Sequence, residues 1–431
     1  MSSRKHRYAA YGLFVAAAGG LAAPPPPIRR VVVAGGCHGN EYSGIYMLRQ
    51  LERNADDVSA RYPSLTVETL VANIQAHDQN RRFILNDLNR LFSAESLAVD
   101  PPADSYETER ARMISHLLGP KGAWRGEAGD GESADLCIDL HTTTSHMGCT
   151  LIIPAYCAPA LAAAAYVQQR WEAGGAEGVA QAFPLRILIE DWCDQVRAHP
   201  PPCRSARPVG HARAARPHKP WAHSHLTPPP PLDQMSSPYL SSAARNGLEV
   251  EIGPVPQGLL RADAIGAFER AVYLLLEYFE LRARGEAPES PAEIEAYVAR
   301  GKLCWPDSGE GQAPAGRLEG HAVLGAGRRQ SDGPAQQQQQ QHQQQRAASG
   351  RFVLPSTLVH ASLQGRDYCS LSVGDPLWRG PDGETIVYDG SKGETITPIF
   401  VNEAAYYEVE SGLGIGICEP VRWPLTQPAE G

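Results

Sequence analysis

The sequence has no Cys-x-x-Cys pair, and its nine cysteines (37, 137, 149, 157, 193, 203, 304, 369 and 418) follow no regular spacing. An odd, dispersed set in a 431-residue chain argues against a disulfide framework and reads as the reduced thiols of an intracellular protein. A basic excess is also missing: 39 Lys and Arg stand against 48 Asp and Glu, for a net charge of −9. Neither nucleic acid nor a stable membrane surface is therefore expected as a partner. The first 29 residues hold no Asp or Glu, and the uncharged stretch from Tyr8 to Ala23 follows Arg4, Lys5 and Arg7. It is short for a bilayer span of roughly 20 residues. A secretory signal, an organelle leader and an unstructured extension all fit it. With the reduced thiols, a cytoplasmic location is expected, with an organelle as the alternative.

Proline and glycine are abundant instead, 36 and 41 residues, and unevenly placed. Ten of the prolines fall between Cys193 and Pro231, together with His199, His211, His218, His223 and His225. Those histidines fit no finger or ribbon pattern, and no apolar periodicity runs through the segment, so 193–231 reads as a low-complexity insertion. A second insertion, 307–350, carries the glutamine tract Gln336 to Gln345, which cannot bury enough apolar area to order itself.

The remainder alternates strand and helix signals. Arg30 to Gly35 (RVVVAG), Thr66 to Ala72, Leu136 to Leu140, Thr150 to Ile153 and Leu248 to Ile252 read as strands. Helices are expected from Ser43, over Glu107 to Leu118 and over Ala262 to Leu281. Beyond Pro291 short strands and the turns Gly374-Asp375, Asp382-Gly383 and Asp389-Gly390 take over. The layout is an α/β domain at 30–285 followed by a smaller β-rich domain at 286–431, with 1–29 as leader or extension.

The chemistry gathers at two predicted strand ends. The first strand runs into Gly35-Gly36-Cys37-His38-Gly39-Asn40-Glu41, and a later one ends in Asp139-Leu140-His141. Ligands collect at the carboxyl ends of strands in open α/β sheets. His38, Glu41 and His141 thus form a candidate set of three ligands with an open position, the arrangement of a catalytic zinc site. Asp139 lies on the same strand face as His141 and is placed to orient its imidazole.

Several motifs carry a family likeness. They are Gly36 to Glu41, Asn86-Asp87-Leu88-Asn89-Arg90-Leu91-Phe92, Gly119-Pro120-Lys121, Asp139 to Thr150, Glu251-Ile252-Gly253-Pro254-Val255-Pro256-Gln257-Gly258, and Phe400 to Tyr407. In this order, over residues 31 to about 407, the chain resembles the aspartoacylase and aminoacylase-3 family, within the succinylglutamate desuccinylase/aspartoacylase class related to zinc carboxypeptidases. The resemblance implies a zinc-carboxypeptidase-like α/β/α domain with a mixed sheet ahead of the β-rich domain. It makes His38, Glu41 and His141 the ligands of one zinc ion per subunit. Glu251 matches the general base, which takes a proton from the attacking water and passes it to the leaving amine. Arg82 matches the arginine that stabilises the tetrahedral oxyanion. Asn89 and Arg90 would hold polar groups of the substrate, and Tyr406 would reach over the cleft from the β-rich domain. A homo-oligomer is compatible with the family.

Pattern alone leaves some choices open. Glu249 and Glu251 share a strand face, and either fits a base or a structural ion pair; the following Ile252-Gly253-Pro254 favours Glu251. One of Arg81 and Arg82 is a solvated charge. His77, His116 and Tyr407 read as structural, and His146 as a surface residue or a cleft residue. Aspartoacylases carry an arginine ten residues before the catalytic glutamate, for a substrate carboxylate, and Ser241 stands there here, with Arg245 nearby. The expected activity is zinc-dependent deacylation of a small N-acyl-L-amino acid, N-acetyl-L-aspartate foremost. An aminoacylase for N-acyl aromatic amino acids or mercapturates is the alternative, and a non-catalytic interaction protein the rival of another class.

Overall fold

The computed structural model describes residues 27–99, 105–122, 133–172, 177–190, 234–306, 355–408 and 413–425. Both expected insertions and most of the leader lie outside the described residues.

Apolar runs buried on both faces make the centre of the sheet, as parallel strands require. β1 (Arg30–Gly35) lies between β2 (Thr66–Val71) and β3 (Leu136–Thr142), and β3 pairs in parallel with β6 (Asn246–Gly253). β4 (Gly148–Pro154) turns antiparallel against β6, and β5 (Leu185–Glu190) follows it in parallel. The sheet is therefore mixed, as expected.

Side chains of β1 alternate between two cores, with the period of two of an extended chain. Val31 and Val33 face one core, built with the helices Tyr42–Arg53, Ala158–Arg170 and Ala262–Ala283. Val32 and Ala34 face the other, with Leu88, Phe92 and Ile114 of the helix Tyr106–Leu117. Helices thus cover both faces, giving the three-layer α/β/α order.

The expected division at 285/286 falls between the helix ending at Ala283 and β7 (Glu293–Cys304). The sheet does not stop there. β7 pairs in parallel with β5, and its other edge carries β13 (Leu413–Pro424), β12 (Thr395–Ile399) and β9 (Leu371–Ser372), completing ten strands. Beside them β8 (Leu358–Val359), β10 (Pro376–Arg379) and β11 (Thr385–Val387) form a small sheet. Its core includes Trp305 and Trp378, with ring centroids 4.7 Å apart. Gly374, Gly383 and Gly390 adopt positive φ at the three expected turns. No helix among the described residues is long and apolar enough to cross a membrane.

The long helix Ala262–Ala283 carries much of the first core. Phe268 is fully buried there, so Phe268→Ala is expected to cost about 3–5 kcal/mol. Leu259, about half exposed, should change stability by less than about 0.5 kcal/mol when replaced by Ala. Denaturant unfolding of the two variants measures the difference.

Candidate active site

Three segments converge at the carboxyl ends of β1, β3 and β6, where the strand order reverses beside β1. The loop after β1 turns sharply through Gly36 (φ +68°). It passes so close to the helix Ile74–Asp78 that a Cβ on Gly39 would lie 2.2 Å from the Ala76 carbonyl carbon. His77 braces the same loop, its Nδ1 3.1 Å from the Gly39 carbonyl.

Glu41 sits at the centre. Its Oε1 is 2.7 Å from His38 Nδ1, and its Oε2 is 3.2 Å from His141 Nδ1 and accepts the Thr142 N–H at 2.9 Å. The donor atoms of His38, Glu41 and His141 lie within 4.8 Å of one another. Both imidazoles are held from behind by carboxylates, which only accept: His38 Nε2 donates to Asp87 Oδ1 (3.1 Å) and His141 Nε2 to Asp139 Oδ2 (2.9 Å). Each Nδ1 faces a Glu41 oxygen, so with Nε2 held by an outer carboxylate it is Nδ1 that would turn its lone pair to a shared metal ion, the outer-sphere pattern of ligating histidines. Two imidazoles and a carboxylate suit zinc. Cys37, Asp139 and His141 also cluster, but burial and the Asp139 charge push the Cys37 thiol well up, and a neutral thiol is a poor ligand.

The charges describe a site short of positive charge. Glu41, Glu190, Glu249, Glu251 and Glu403 line the cavity against Arg82, Arg90 and Lys302. Burial opposes ionisation of Glu41, yet His38 and His141 hold its carboxyl well below the usual range. For His141 burial disfavours the cation, and Asp139 overrides it, raising the pKa well above the ordinary value. Burial raises Glu251 strongly, with Glu41 and Glu403 adding to it against His141.

All eight residues singled out from the sequence line this one cavity: His38, Glu41, Arg82, Asn89, Arg90, His141, Glu251 and Tyr406. Glu251 lies directly across from His141 in the β3–β6 register, and Glu249 across from Asp139. Both glutamates line the cavity, and Ser241 Oγ donates to Glu249 at 3.5 Å. Arg82 is buried, bonded to Glu41 (3.3 Å) and Asp87 (3.4 Å), whereas Arg81 is exposed. Its Nε–H has no partner among the described residues. Arg90 is exposed, its guanidinium 5.0 Å from the Tyr239 ring centroid. Arg245 pairs instead with Asp135 at 3.6 Å. His116 and His146 are exposed and outside the cavity lining. Tyr407 packs against Trp305 and bonds Asn402.

Sequence reasoning missed Asp87, Glu190, Tyr239, Lys302 and Glu403. Glu403 carries the most contacts of these. Its carboxylate accepts from the Thr143 hydroxyl, the Thr144 N–H (3.0 Å) and the Ser145 hydroxyl (3.4 Å), fastening the segment ahead of Tyr406 to the loop just after His141.

The catalytic-domain model of the succinylglutamate desuccinylase/aspartoacylase family matches residues 27–182, and the barrel-sandwich hybrid domain model of the same group matches 337–415. The N-acyl-aromatic-L-amino acid amidohydrolase (carboxylate-forming) of Homo sapiens is 31% identical over 401 residues, 92% of this chain and 91% of that protein. The chain belongs to the succinylglutamate desuccinylase/aspartoacylase family. Another relative, a probable aspartoacylase of Trichodesmium erythraeum, is 26% identical over 384 residues, 89% of this chain and 94% of that one. The crystal structure of murine aminoacylase 3 aligns with a TM-score of 0.62 at 26% identity, over 93% of this chain and 99% of that one.

In this member of the family the loop that carries Arg82, Asp87 and Arg90 is anchored by a buried carboxylate. Glu107, from the helix Tyr106–Leu117, accepts the N–H groups of Ile84 (2.6 Å), Leu85 (3.1 Å) and Asn86 (3.2 Å). Glu107→Ala removes the acceptor of three amides, of which Ile84 is half-buried and Leu85 and Asn86 are exposed and open to water. A drop in stability of about 1–3 kcal/mol is expected, with faster hydrogen exchange at those three amides than at β3, read by thermal unfolding and exchange mass spectrometry.

Proposed function

We propose that the chain is a zinc-dependent amidohydrolase that removes the acyl group from an N-acyl-L-amino acid. The observation that carries this reading is the placement of Glu251, desolvated and directly across β3–β6 from His141, beside the cluster of His38, Glu41 and His141. Zinc held by those three residues would supply a Lewis acid and lower the pKa of water.

The chain's own groups supply the rest. Glu251, its pKa raised by burial, accepts a proton from the attacking water and returns it to the leaving nitrogen. Arg82 is fixed by Glu41 and Asp87 with its Nε–H unused, a preorganised donor for charge developing on the carbonyl oxygen. Asn89 accepts the Leu240 N–H through Oδ1, and its side chain also hydrogen-bonds Glu249 in the cavity wall. Arg90 and Tyr406 stand at the substrate end, where a planar guanidinium suits a carboxylate.

The substrate side chain is read as apolar or aromatic. Ile152, Leu188, Ala299, Ile399, Phe400 and Ile417 supply the apolar part of the lining, and Ser241 takes no part in it. The human relative's name, an amidohydrolase for N-acyl aromatic amino acids, supports this order over the aspartate substrate placed first from the sequence. N-acetyl-L-aspartate stays as the second reading, favoured by the cations Arg90 and Lys302 in the cavity.

Purified protein is expected to hydrolyse N-acetyl-L-phenylalanine with a higher kcat/KM than N-acetyl-L-aspartate. Activity should vanish on dialysis against a chelator and return with zinc. No hydrolysis of either compound by protein with bound zinc would overturn the enzyme reading. Glu251→Gln should lower kcat by about 10²–10⁴ while metal content stays at one zinc per chain; an active variant would pass the role of base to Glu249.

A further inference from the structure

Two carboxylates of β6 face the cavity, and Glu251 alone has a task in the reaction proposed above. Glu249 lies two residues earlier on the same face, roughly 7 Å away by the strand repeat. Register fixes what stands beside it. Glu249 is opposite Asp139 of β3 on one side and Ile152 of β4 on the other, and Ile152 is opposite Leu188 of β5. Glu251 lies in the neighbouring row, between His141 and Thr150. The cavity floor thus changes along one row from carboxylates to aliphatic side chains, and Glu249 stands at the boundary.

The carboxylates of the cavity differ in how fully their oxygens are used. Glu41 meets two imidazoles, a guanidinium and an N–H, and Glu403 meets hydroxyls and an N–H of the segment from Thr143 to Ser145. Glu249 is only 7% exposed, and its hydrogen-bond donors among the described residues are neutral: the Ser241 hydroxyl at 3.5 Å and the Asn89 side chain. A carboxylate offers about four lone-pair positions, so acceptor capacity is left over. Burial raises the Glu249 pKa, and Asp139 adds to this against His141 and Arg90. Protonated or ionised, the group keeps an oxygen that accepts.

A substrate whose leaving nitrogen sits at Glu251 can lay its side chain on Ile152 and Leu188, and the far end of an aromatic ring there comes beside Glu249. Serine, threonine and asparagine side chains are too short for that reach. A cationic tip is opposed by Arg90 and Lys302 in the same cavity, and an anionic tip by Glu249 itself. A phenolic hydroxyl reaches, carries no charge and donates. We propose that Glu249 is a specificity-determining residue that accepts a hydrogen bond from a hydroxyl at the end of an aromatic substrate side chain, so that an N-acyl-L-tyrosine is preferred to an N-acyl-L-phenylalanine. The proposal deepens the amidohydrolase reading and rests on it. Glu249 touches substrate in this assignment and neither takes nor gives a proton.

The test compares wild type, Glu249→Ala and Glu249→Gln on N-acetyl-L-tyrosine, N-acetyl-L-phenylalanine and N-acetyl-O-methyl-L-tyrosine, which keeps the ring oxygen but has no donor. Zinc content and thermal midpoint serve as controls for folding. Wild type should favour the tyrosine compound over the phenylalanine compound at least about tenfold in kcat/KM, and the methyl ether should do no better than phenylalanine. In Glu249→Ala that ratio should fall to within about twofold, through loss on tyrosine. Glu249→Gln keeps an acceptor oxygen and should retain part of the preference. A wild-type ratio within twofold overturns the assignment, and so do equal losses on tyrosine and phenylalanine, the mark of a merely structural role. A loss of about a hundredfold or more on all three substrates in both variants would make Glu249 the base and overturns it as well. Calorimetric binding to Glu251→Gln and to Glu251→Gln/Glu249→Ala separates this proposal from the enzyme reading. Tyrosine binding about tenfold tighter than phenylalanine in the first and equal in the second supports Glu249 even if no substrate turns over. Equal binding of the two compounds in the first counts against it even in an active enzyme.

Discussion

The site is organised around one carboxylate. Glu41 meets both imidazoles, the Arg82 guanidinium and the Thr142 N–H, and each of these comes from a different stretch of chain or face of the cluster. His38 and Glu41 belong to the loop after β1, Arg82 to the loop that Glu107 anchors, and His141 and Thr142 to the end of β3. A buried anion with four donors around it is stable only while all four are in place. Glu41 therefore fixes the relative positions of three loops as well as offering an oxygen to a metal. The same requirement explains why Gly39 must lie so close to Ala76: any side chain there would lift the loop away from its partners.

The second constraint is electrostatic. More carboxylates than cations face one largely buried cavity, and burying unpaired charge is costly. The protein meets that cost in two ways. Arg82 is shared between Glu41 and Asp87, and the pKa values of His141 and Glu251 are both raised, the first by Asp139 against burial and the second by burial itself. A divalent cation held by His38, Glu41 and His141, as proposed, would add positive charge at the same place. Glu251 is the group on which the proposed function depends. With His141 across the strand pair and Glu41 and Glu403 near it, its carboxyl is held where it can take up and give back a proton.

Sequence made the His38, Glu41 and His141 half of this cavity legible and hid much of the opposite wall. His38, Glu41, Asp139 and His141 lie within a few residues of strand ends, so their convergence follows from the sheet alone, and the edges of β1, β3 and β6 were readable from apolar runs. Glu251 was separable from Glu249 only through the residues that follow it. Glu403 lay inside a recognised motif, yet its contacts with Thr143 and Ser145 span about 260 residues of sequence, which no local pattern encodes. Lys302 gave no signal at all. Its aim depends on a single extra residue in β7, and a bulge changes neither composition nor the appearance of the apolar run around it. The β5 strand was likewise not singled out, and with it went the continuity of the sheet from β5 into β7.

That continuity explains how the C-terminal part of the chain reaches the chemistry. β5 ends at Glu190 in the cavity wall, and β7 beside it brings Ala299, Gly301 and Lys302 to the same wall. The pairing of Leu188 with Tyr297 and of Ile189 with Val298 sets the height of β7 against the central strands. Glu403 closes the opposite side by fastening the segment ahead of Tyr406 to the loop after His141. The substrate end is thus held at two separate places on the central sheet, one through backbone pairing and one through a buried carboxylate. A wall fixed at both ends resists the splaying that admitting a polypeptide would require. A cavity bounded this way suits a small acyl amino acid, and changes in which one it accepts can arise in β7 and the Glu403 segment without disturbing the cluster of His38 and Glu41 in the loop after β1 and His141 on β3.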